Sequence, residues 1–396
     1  MDKWIKVKIS DLGQVVGGAT PSTKKDEYYN GDIAWITPKD LSDFKCRYIS
    51  RGERNITKAG MDSCSTQLLP KNTVLFSSRA PIGYVAIAEN EMCTNQGFKS
   101  VIPNENIDCL FLYYLLKFNK DKIEAMGSGT TFKEVSGSTM RNIEVTIPES
   151  KKVQVRIAAI LDAIDSKIEN NIKINNNLEE QLSSLFVNMF GHSIDSLDDS
   201  DIKLGDLIES VDNRGKTPPL SEEPTAYPII DVRALSGNSR IIEYTNCTKY
   251  VSEETYNNWF RSGHPKEYDI LISTVGSLAE MKIFLGNTGC IAQNVVGFRT
   301  KGISPLYLYQ YLNYIKNDLV AYNIGSVQPS IKVTHIIKHS IYVAPKEEIK
   351  TFDSVARDIT KKIFANCQES EILKQMRDTL LPKLMSGELD VSDIEI

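Results

Sequence analysis

The chain has 396 residues, 41% of them hydrophobic and 24% charged, with a formal net charge of −5; this is the composition of a soluble globular protein of two or three domains. No stretch approaches the roughly 18 consecutive apolar residues of a membrane span, and "MDKWIKVKISDL" has no apolar run of the kind a secretory signal carries, so a cytoplasmic protein without membrane contact is expected. Seven scattered cysteines with no Cys-x-x-Cys pair argue against a disulfide framework and a compact zinc site.

In chain order, residues 1–150 read as a mixed domain of short β-rich runs ("TVLFSS", "YVAIA"), Gly/Pro/Asn turns and one amphipathic helix at 109–124. Pro148-Glu149-Ser150 then signals the start of a long helical pattern over 151–191. Residues 201–345 repeat the mixed pattern, with "DILIST" as a strand and a helix at 305–320. Pro345, followed by Glu347 and Glu348, opens a second long helix and tail over 346–391. The two halves correspond segment by segment. "KISDLGQVVGGATP" from Lys8 matches "KLGDLIESVDNRGKTP" from Lys203, "LPKNTVLFSS" matches "HPKEYDILIST", "TNQGF" matches "AQNVVGF", and "LFLYYLL" matches "LYLYQYL". The period of about 196 residues is that of a domain plus an appended helix, too long for a solenoid unit. Charge follows the same alternation: 19 Lys+Arg against 18 Asp+Glu in 1–150 and 14 against 14 in 201–345, with acidic excess in 151–200 (5 − 8) and 346–396 (8 − 11).

Each long helix carries a heptad seam. The first runs Ile157, Leu161, Ile164, Ile168, Asn171, Asn175, Leu178, Leu182, Leu185 and Met189. A shift of 195 residues gives Phe352, Ala356, Ile359, Ile363, Asn366, Ser370, Leu373, Arg377, Leu380 and Leu384. Both seams place a polar pair at their centre. Two helices related by a pseudo-twofold axis pack antiparallel, so centre meets centre, and Asn171, Asn175, Asn366 and Ser370 are expected to hydrogen-bond to one another and fix the register. A slip would set them against Leu or Ile at about 1–3 kcal/mol each. Arg377 interrupts the second seam, and Pro382 is expected to end or kink its helix before Leu384.

The first seam, from Ile157 to Met189, corresponds to about 48 Å of helix. Two similar but non-identical domains spaced by such a rod suit two different half-sites on duplex DNA, whose successive turns lie roughly 34–36 Å apart. Here a family resemblance becomes specific. The tail "LLPKLMSGELDV", Leu380 to Val391, resembles the C-terminal signature of type I restriction–modification specificity subunits. "RIAAILDAIDSKI" and "LFVNMFG" resemble the central conserved region of that family, and "TPS" at 20–22 and "GSVQPSIKVT" at 325–334 its domain motifs. The first half departs from the pattern, having "GTTFKEVS" where the second has "GSVQPS".

The resemblance covers essentially the whole chain. It implies an α+β fold: two similar mixed α/β target-recognition domains (1–150 and 201–345) separated by two long antiparallel coiled-coil helices (151–191 and 346–391), with an internal pseudo-twofold repeat. It implies a non-catalytic subunit that reads a bipartite, asymmetric double-stranded DNA site and docks two adenine methyltransferase subunits, with two restriction subunits added in a full complex. S-adenosylmethionine then belongs to the methyltransferase partner, and ATP and Mg to the endonuclease partner; no metal or catalytic residue is expected in this chain. Base and phosphate contacts need polar side chains on loops. The candidates are Thr20, Ser22, Lys24, Lys25, Lys39, Arg79 and Lys133 in the first domain, and Arg214, Lys216, Thr217, Arg233, Ser277, Gln328 and Ser330 in the second. Tyr28 and Tyr29 fit core or rim packing better than stacking on bases.

The alternatives are a specificity subunit of a methylation-only or non-type-I bipartite system, a cryptic methyltransferase or nuclease, and a coiled-coil scaffold that binds proteins only. "KTPPL" at 216–220 and "GSGTTF" at 127–132 lack the residues of methyltransferase motifs. Glu348-Ile349-Lys350 has no strand Asp beside it. His335 and His339 lack the intervening Glu of a metalloprotease helix, and "HIIKHSIYV" also reads as strand.

Overall fold

The computed structural model describes residues 3–42, 44–79, 81–129, 133–286 and 288–391. The chain forms two compact units, Met1–Glu169 with Glu371–Ile396, and Asn170–Ser370.

The first unit is built on a five-stranded sheet in the order Gly13–Gly17, Lys99–Pro103, Val74–Phe76, Val85–Ala88, Tyr48–Ile49. Val74, Leu75, Phe76, Ala86, Ile87 and Ala88 are all fully buried, as expected for strands covered on both faces. The second unit repeats this order with four strands: Ile208–Val211, Val295–Thr300, Ile270–Ser273, Met281–Ile283. The duplication therefore extends to strand connectivity. An antiparallel pair of Trp4–Lys8 with Glu144–Pro148 closes the base of the first unit; its counterpart in the second is a single bridge, Lys203 to Ser340.

Against each sheet lies one apolar helix, Cys109–Phe118 or Pro305–Tyr314. Each begins at a side-chain cap: Asp108 accepts from Phe111 N at 2.8 Å, and Ser304 accepts from Tyr307 N at 3.2 Å. Both end sooner than the sequence pattern suggests. Asn119 (φ −89°, ψ 9°) and Ile315 (φ −90°, ψ 17°) break the helical path before short helices Lys120–Ala125 and Lys316–Ala321 resume it. At Asn119 the side-chain amide donates to Leu115 O at 2.9 Å, a carbonyl that Asn119 N also reaches at 3.0 Å, so the last turn is held by both.

The long helices are Lys151–Phe186 and Lys346–Met385. Within each unit their segments run antiparallel. In the second unit Asn171 meets Ser370, while Phe186 meets Phe352 at 5.4 Å between ring centres. In the first, Asp165 meets Arg377 at 2.8 Å, and Val153 shares a core with Leu384 and Met385. The polar centre is buried. Asn171 donates to Ser370 Oγ at 3.2 Å and to Glu369 Oε2 at 2.8 Å, and Asn366 donates to Asn175 Oδ1 at 2.8 Å; all four register residues are buried. Arg377, the interruption in the second seam, is satisfied by Asp165, which also accepts from Tyr114 OH at 2.9 Å.

Three local expectations are corrected. The second long helix does not stop at Pro382 but continues to Met385, and Leu384 is 2% exposed. The bond lost at the proline is confined to the final turns, where burial of Leu384 and Met385 offsets it. The segment holding His335 is not a strand but a short helix, Val333–Ile336, and His339 Nδ1 bonds Tyr322 OH at 2.8 Å. The first long helix passes into a π-helical turn, Val187–Gly191, that places Phe190 against Tyr307 at 5.2 Å. All seven cysteines are free thiols, and among the described residues no helix is long and apolar enough to cross a membrane.

Candidate nucleic-acid interface

The loop after strand Gly13–Gly17 carries Thr20, Ser22, Lys24 and Lys25. It is held from below by main-chain bonds: Ala19 N donates to Thr94 O at 3.0 Å, Trp35 Nε1 to Ala19 O at 3.1 Å and Tyr29 OH to Pro21 O at 2.8 Å. Tyr29 is buried edge-on to Trp35, 6.0 Å between centres, which is a packing role. Gly18 is required here: a Cβ would lie 2.1 Å from Thr94 O.

Above this base, Thr20 Oγ1 donates to Gln96 Oε1. Gln96 sits on a turn whose Gly97 O accepts from Ser78 N at 2.7 Å, and Ser78 O in turn accepts from Val135 N at 2.9 Å. The network gathers Thr20, Arg79 and Lys133 around residues 95–97. Lys39 joins them through Pro38, which packs on Gly97. Thr130 to Phe132, in the departing motif, lie outside the described residues.

The second unit contains the same frame in different letters. Gln293 Nε2 donates to Thr217 Oγ1. Thr274 N donates to Asn294 O at 2.8 Å, and Ile331 N donates to Thr274 O at 2.9 Å. Ser77 and Ser273 brace equivalent turns, taking a bond at 2.8 Å from Tyr84 N and from Glu280 N; these turns carry Arg79 and Ser277. The correspondence corrects the sequence alignment at one place. Phe98, bridged to Ser77, matches Val295, paired with Ser273, rather than Phe298. Gln96 then falls opposite Gln293, the pair that sequence reading missed although both stand in the matched strings "TNQGF" and "AQNVVGF".

Thr217 and Lys216 are exposed on this frame, as is Ser277; Gln328 is exposed and Ser330 half-buried on a tight loop in which Asn323 Oδ1 accepts from Gly325 N and Ser330 N. Gly276 N donates to Pro329 O at 3.0 Å and joins the two turns. Val327, at the tip, is 98% exposed. Arg233 lies apart, on a short helix beside Thr248.

Most of the nominated cations are already paired. Lys25 bonds Tyr28 OH at 3.0 Å, and this bond, with the nearby Glu27, raises its pKa. Lys39 bonds Glu53 at 2.7 Å, with the same effect. Arg79 pairs with Glu134 at 2.9 Å. Arg214 pairs with Asp212 at 2.7 Å, holding that carboxyl below its ordinary value, and Arg233 faces Asp231 at 3.7 Å. Lys24, Lys133 and Lys216 are exposed and have no ion pair among the described residues. The candidate surface is polar and geometrically fixed but nearly neutral.

Two buried arginines, absent from the sequence reading, tie each domain to the long helices. Arg47 donates from its main chain to Glu169 Oε1 at 2.8 Å and from its guanidinium to Glu169, Asp162 and Ser166. Burial works against its charge, but the Glu169 bond and the fields of Tyr114, Glu169 and Asp162 prevail and raise its pKa. Arg240 repeats the design on Glu179, with main-chain donation at 2.8 Å, and adds Thr360 at 2.9 Å. A lone Arg in a loop carries no sequence signal of such a role.

The model of the type I restriction modification DNA specificity domain matches this chain twice, over residues 1–180 and 198–375. The chain belongs to that specificity-subunit family. It is 33% identical to the type I restriction enzyme MjaIX specificity subunit of Methanocaldococcus jannaschii, over 99% of this chain and 94% of that one. It is 27% identical to the HindI specificity subunit of Haemophilus influenzae, over 43% and 37% respectively. The type I S subunit from M. genitalium shares the fold of this specificity subunit, with a TM-score of 0.59 at 18% identity and coverage of 97% and 96%.

Proposed function

We propose that this specificity subunit reads a two-part, asymmetric site on double-stranded DNA, one half per compact unit, and presents it to two adenine methyltransferase subunits; in a restriction complex, two endonuclease subunits join them. The observation that carries the reading is the repeated Thr–Gln clamp. Thr20 with Gln96 and Thr217 with Gln293 occupy equivalent places on equivalent frames, while the exposed side chains around them differ. One scaffold with two sets of reading groups suits two half-sites of unlike sequence. The chain itself contributes recognition and spacing. Base flipping and methyl transfer from S-adenosylmethionine belong to the methyltransferase partner, and ATP- and Mg-dependent steps to the endonuclease.

The long helices, 36 and 40 residues, are the spacer in this reading. Asn175 faces Asn366, so a matched heptad insertion goes after Asn175 and after Ala365. Mapping of methylated adenines in cells carrying the chain and its methyltransferase is the test. The expected result is one split motif with a fixed gap, lengthened by roughly 10 Å, about 3 bp, in the insertion variant, with both half-sites unchanged. A continuous motif, or an insertion that alters bases but not the gap, would falsify the reading.

A further inference from the structure

At the tip of loop 325–329 in the second unit, Val327 is 98% exposed, and Gln328 is exposed with no side-chain hydrogen bond among the described residues. A single exposed valine on a slack loop needs no explanation, but the main chain beneath this one is fixed. Asn323 Oδ1 accepts from Gly325 N at 3.0 Å and from Ser330 N at 2.9 Å, and Ile324 N donates to Ser330 O at 2.9 Å. The loop doubles back so closely that a Cβ on Gly325 would lie 1.9 Å from Gln328 O. Val327 thus sets a stiff β-branched side chain on a rigid support, and holding it against a ligand costs little ordering entropy.

The support also fixes its place. Ser330 bridges Val275, and Ile331 N donates to Thr274 O, while Thr274 N donates to Asn294 O. Asn294 follows Gln293, which is spent on Thr217. The tip therefore stands on the frame of the candidate interface, with a free amide where Gln293 has none to offer. The first unit builds the same loop: Ser128 N donates to Glu134 O at 3.0 Å, Glu134 bridges Arg79, and Val135 N donates to Ser78 O at 2.9 Å. The loops 129–133 and 325–329 are equal in length, so by count the first half has Thr131 and Phe132 where the second has Val327 and Gln328. An apolar group followed by an amide is peculiar to the second half.

We propose that Val327 and Gln328 together read one T·A base pair of the second unit's half-site from the major groove, Val327 packing on the C5 methyl group of thymine and Gln328 pairing its amide with N6 and N7 of adenine. The proposal rests on the functional reading above and adds to it a base pair and the two groups that recognise it. Among the four bases only thymine carries an apolar group on its major-groove edge, and only adenine presents a donor beside an acceptor, the match for the two ends of an amide. Both features lie on one edge of a T·A pair, as both side chains lie side by side at one loop tip.

The test uses the full-length chain in complex with its methyltransferase subunit and duplexes carrying the mapped site. At each A·T pair other than those of the methylated adenines, thymine is replaced by deoxyuridine, which lacks only the methyl group, or adenine by 7-deazaadenine, which lacks the N7 acceptor. One pair is expected to respond to both replacements, each weakening binding about four- to five-fold. Val327→Ser should abolish the deoxyuridine response alone, Gln328→Ala the 7-deazaadenine response alone, and Val327→Thr, which keeps a methyl group, should retain both. The melting temperature of the free chain is expected to be unchanged in all three variants. A site in which no such pair responds to both replacements, responses that persist in the variants, or variants that lose the methyltransferase subunit rather than base discrimination overturn the proposal and leave the functional reading standing. A wild-type complex that binds no split site overturns both.

Discussion

Asn366 donates to Asn175 Oδ1 at 2.8 Å in the buried centre of the second unit's helix pair. Each residue satisfies the other, so replacing one strands its partner. Asn366→Leu is expected to cost about 1–3 kcal/mol, and Asn175→Leu a similar amount. The double replacement should recover much of the sum, because no unpaired amide remains at that level. Urea unfolding of the four proteins measures this coupling; strictly additive losses would refute it.

Arg240 and Glu179 form a charge pair in which the arginine side chain is wholly buried and the glutamate 15% exposed. Arg240→Met is expected to destabilise the second unit by about 3–5 kcal/mol, because Glu179 is left without its guanidinium. The pair Lys3–Glu149, 72% and 55% exposed, supplies the contrast: Lys3→Ala should change stability by less than about 1 kcal/mol. Chemical denaturation midpoints separate the two, and similar values would remove the special role given to the buried clamp.

Gly387 has a φ of +78°, and a Cβ there would sit 2.6 Å from the Trp4 ring. Gly387→Ala therefore meets both a backbone and a steric penalty and should cost more than about 1 kcal/mol. Val391, 3% exposed, should be released along with the turn. Limited proteolysis after residue 385 is the sensitive readout: wild-type resistance in the variant would show that the turn tolerates a side chain.

The near-neutral candidate surface predicts weak binding by the chain alone. With Lys25, Lys39, Arg79, Arg214 and Arg233 beside internal partners, few cations are free to displace counterions from phosphates. The purified chain should bind duplex DNA with a shallow salt dependence and at best micromolar affinity at physiological salt, and the methyltransferase complex more tightly and more steeply. Nanomolar sequence-specific binding by the chain alone would contradict this.

The repeat, the long helices and the polar register were legible in the sequence because each rests on periodicity. Heptad spacing puts Asn171, Asn175, Asn366 and Ser370 on one seam, and a shift of 195 residues superposes them. The strands "TVLFSS", "YVAIA" and "DILIST" were legible from their β-branched and aromatic composition between turn residues. Less visible were contacts that tertiary folding brings together from distant loops. Arg47 reaches Glu169, Thr20 reaches Gln96 and Gly387 meets Trp4 without any local pattern to announce them. Likewise, Arg377 looks like a defect in its seam until Asp165 and Tyr114 stand beside it. At the candidate interface the sequence shows the near-neutral charge of each domain but not which cations are paired, since an exposed lysine and a paired one read alike.

The core of the first unit takes in Leu384, Met385 and Val391 alongside Ile9, Leu12 and Val153. The second unit, by contrast, is drawn entirely from residues 170–370. During ribosomal synthesis, then, the segment made first is the one finished last: it waits with an open core while the segment made later closes. A premature stop near residue 380 should spare the nearer neighbour and cripple the earlier-made half, the reverse of what position along the messenger would suggest.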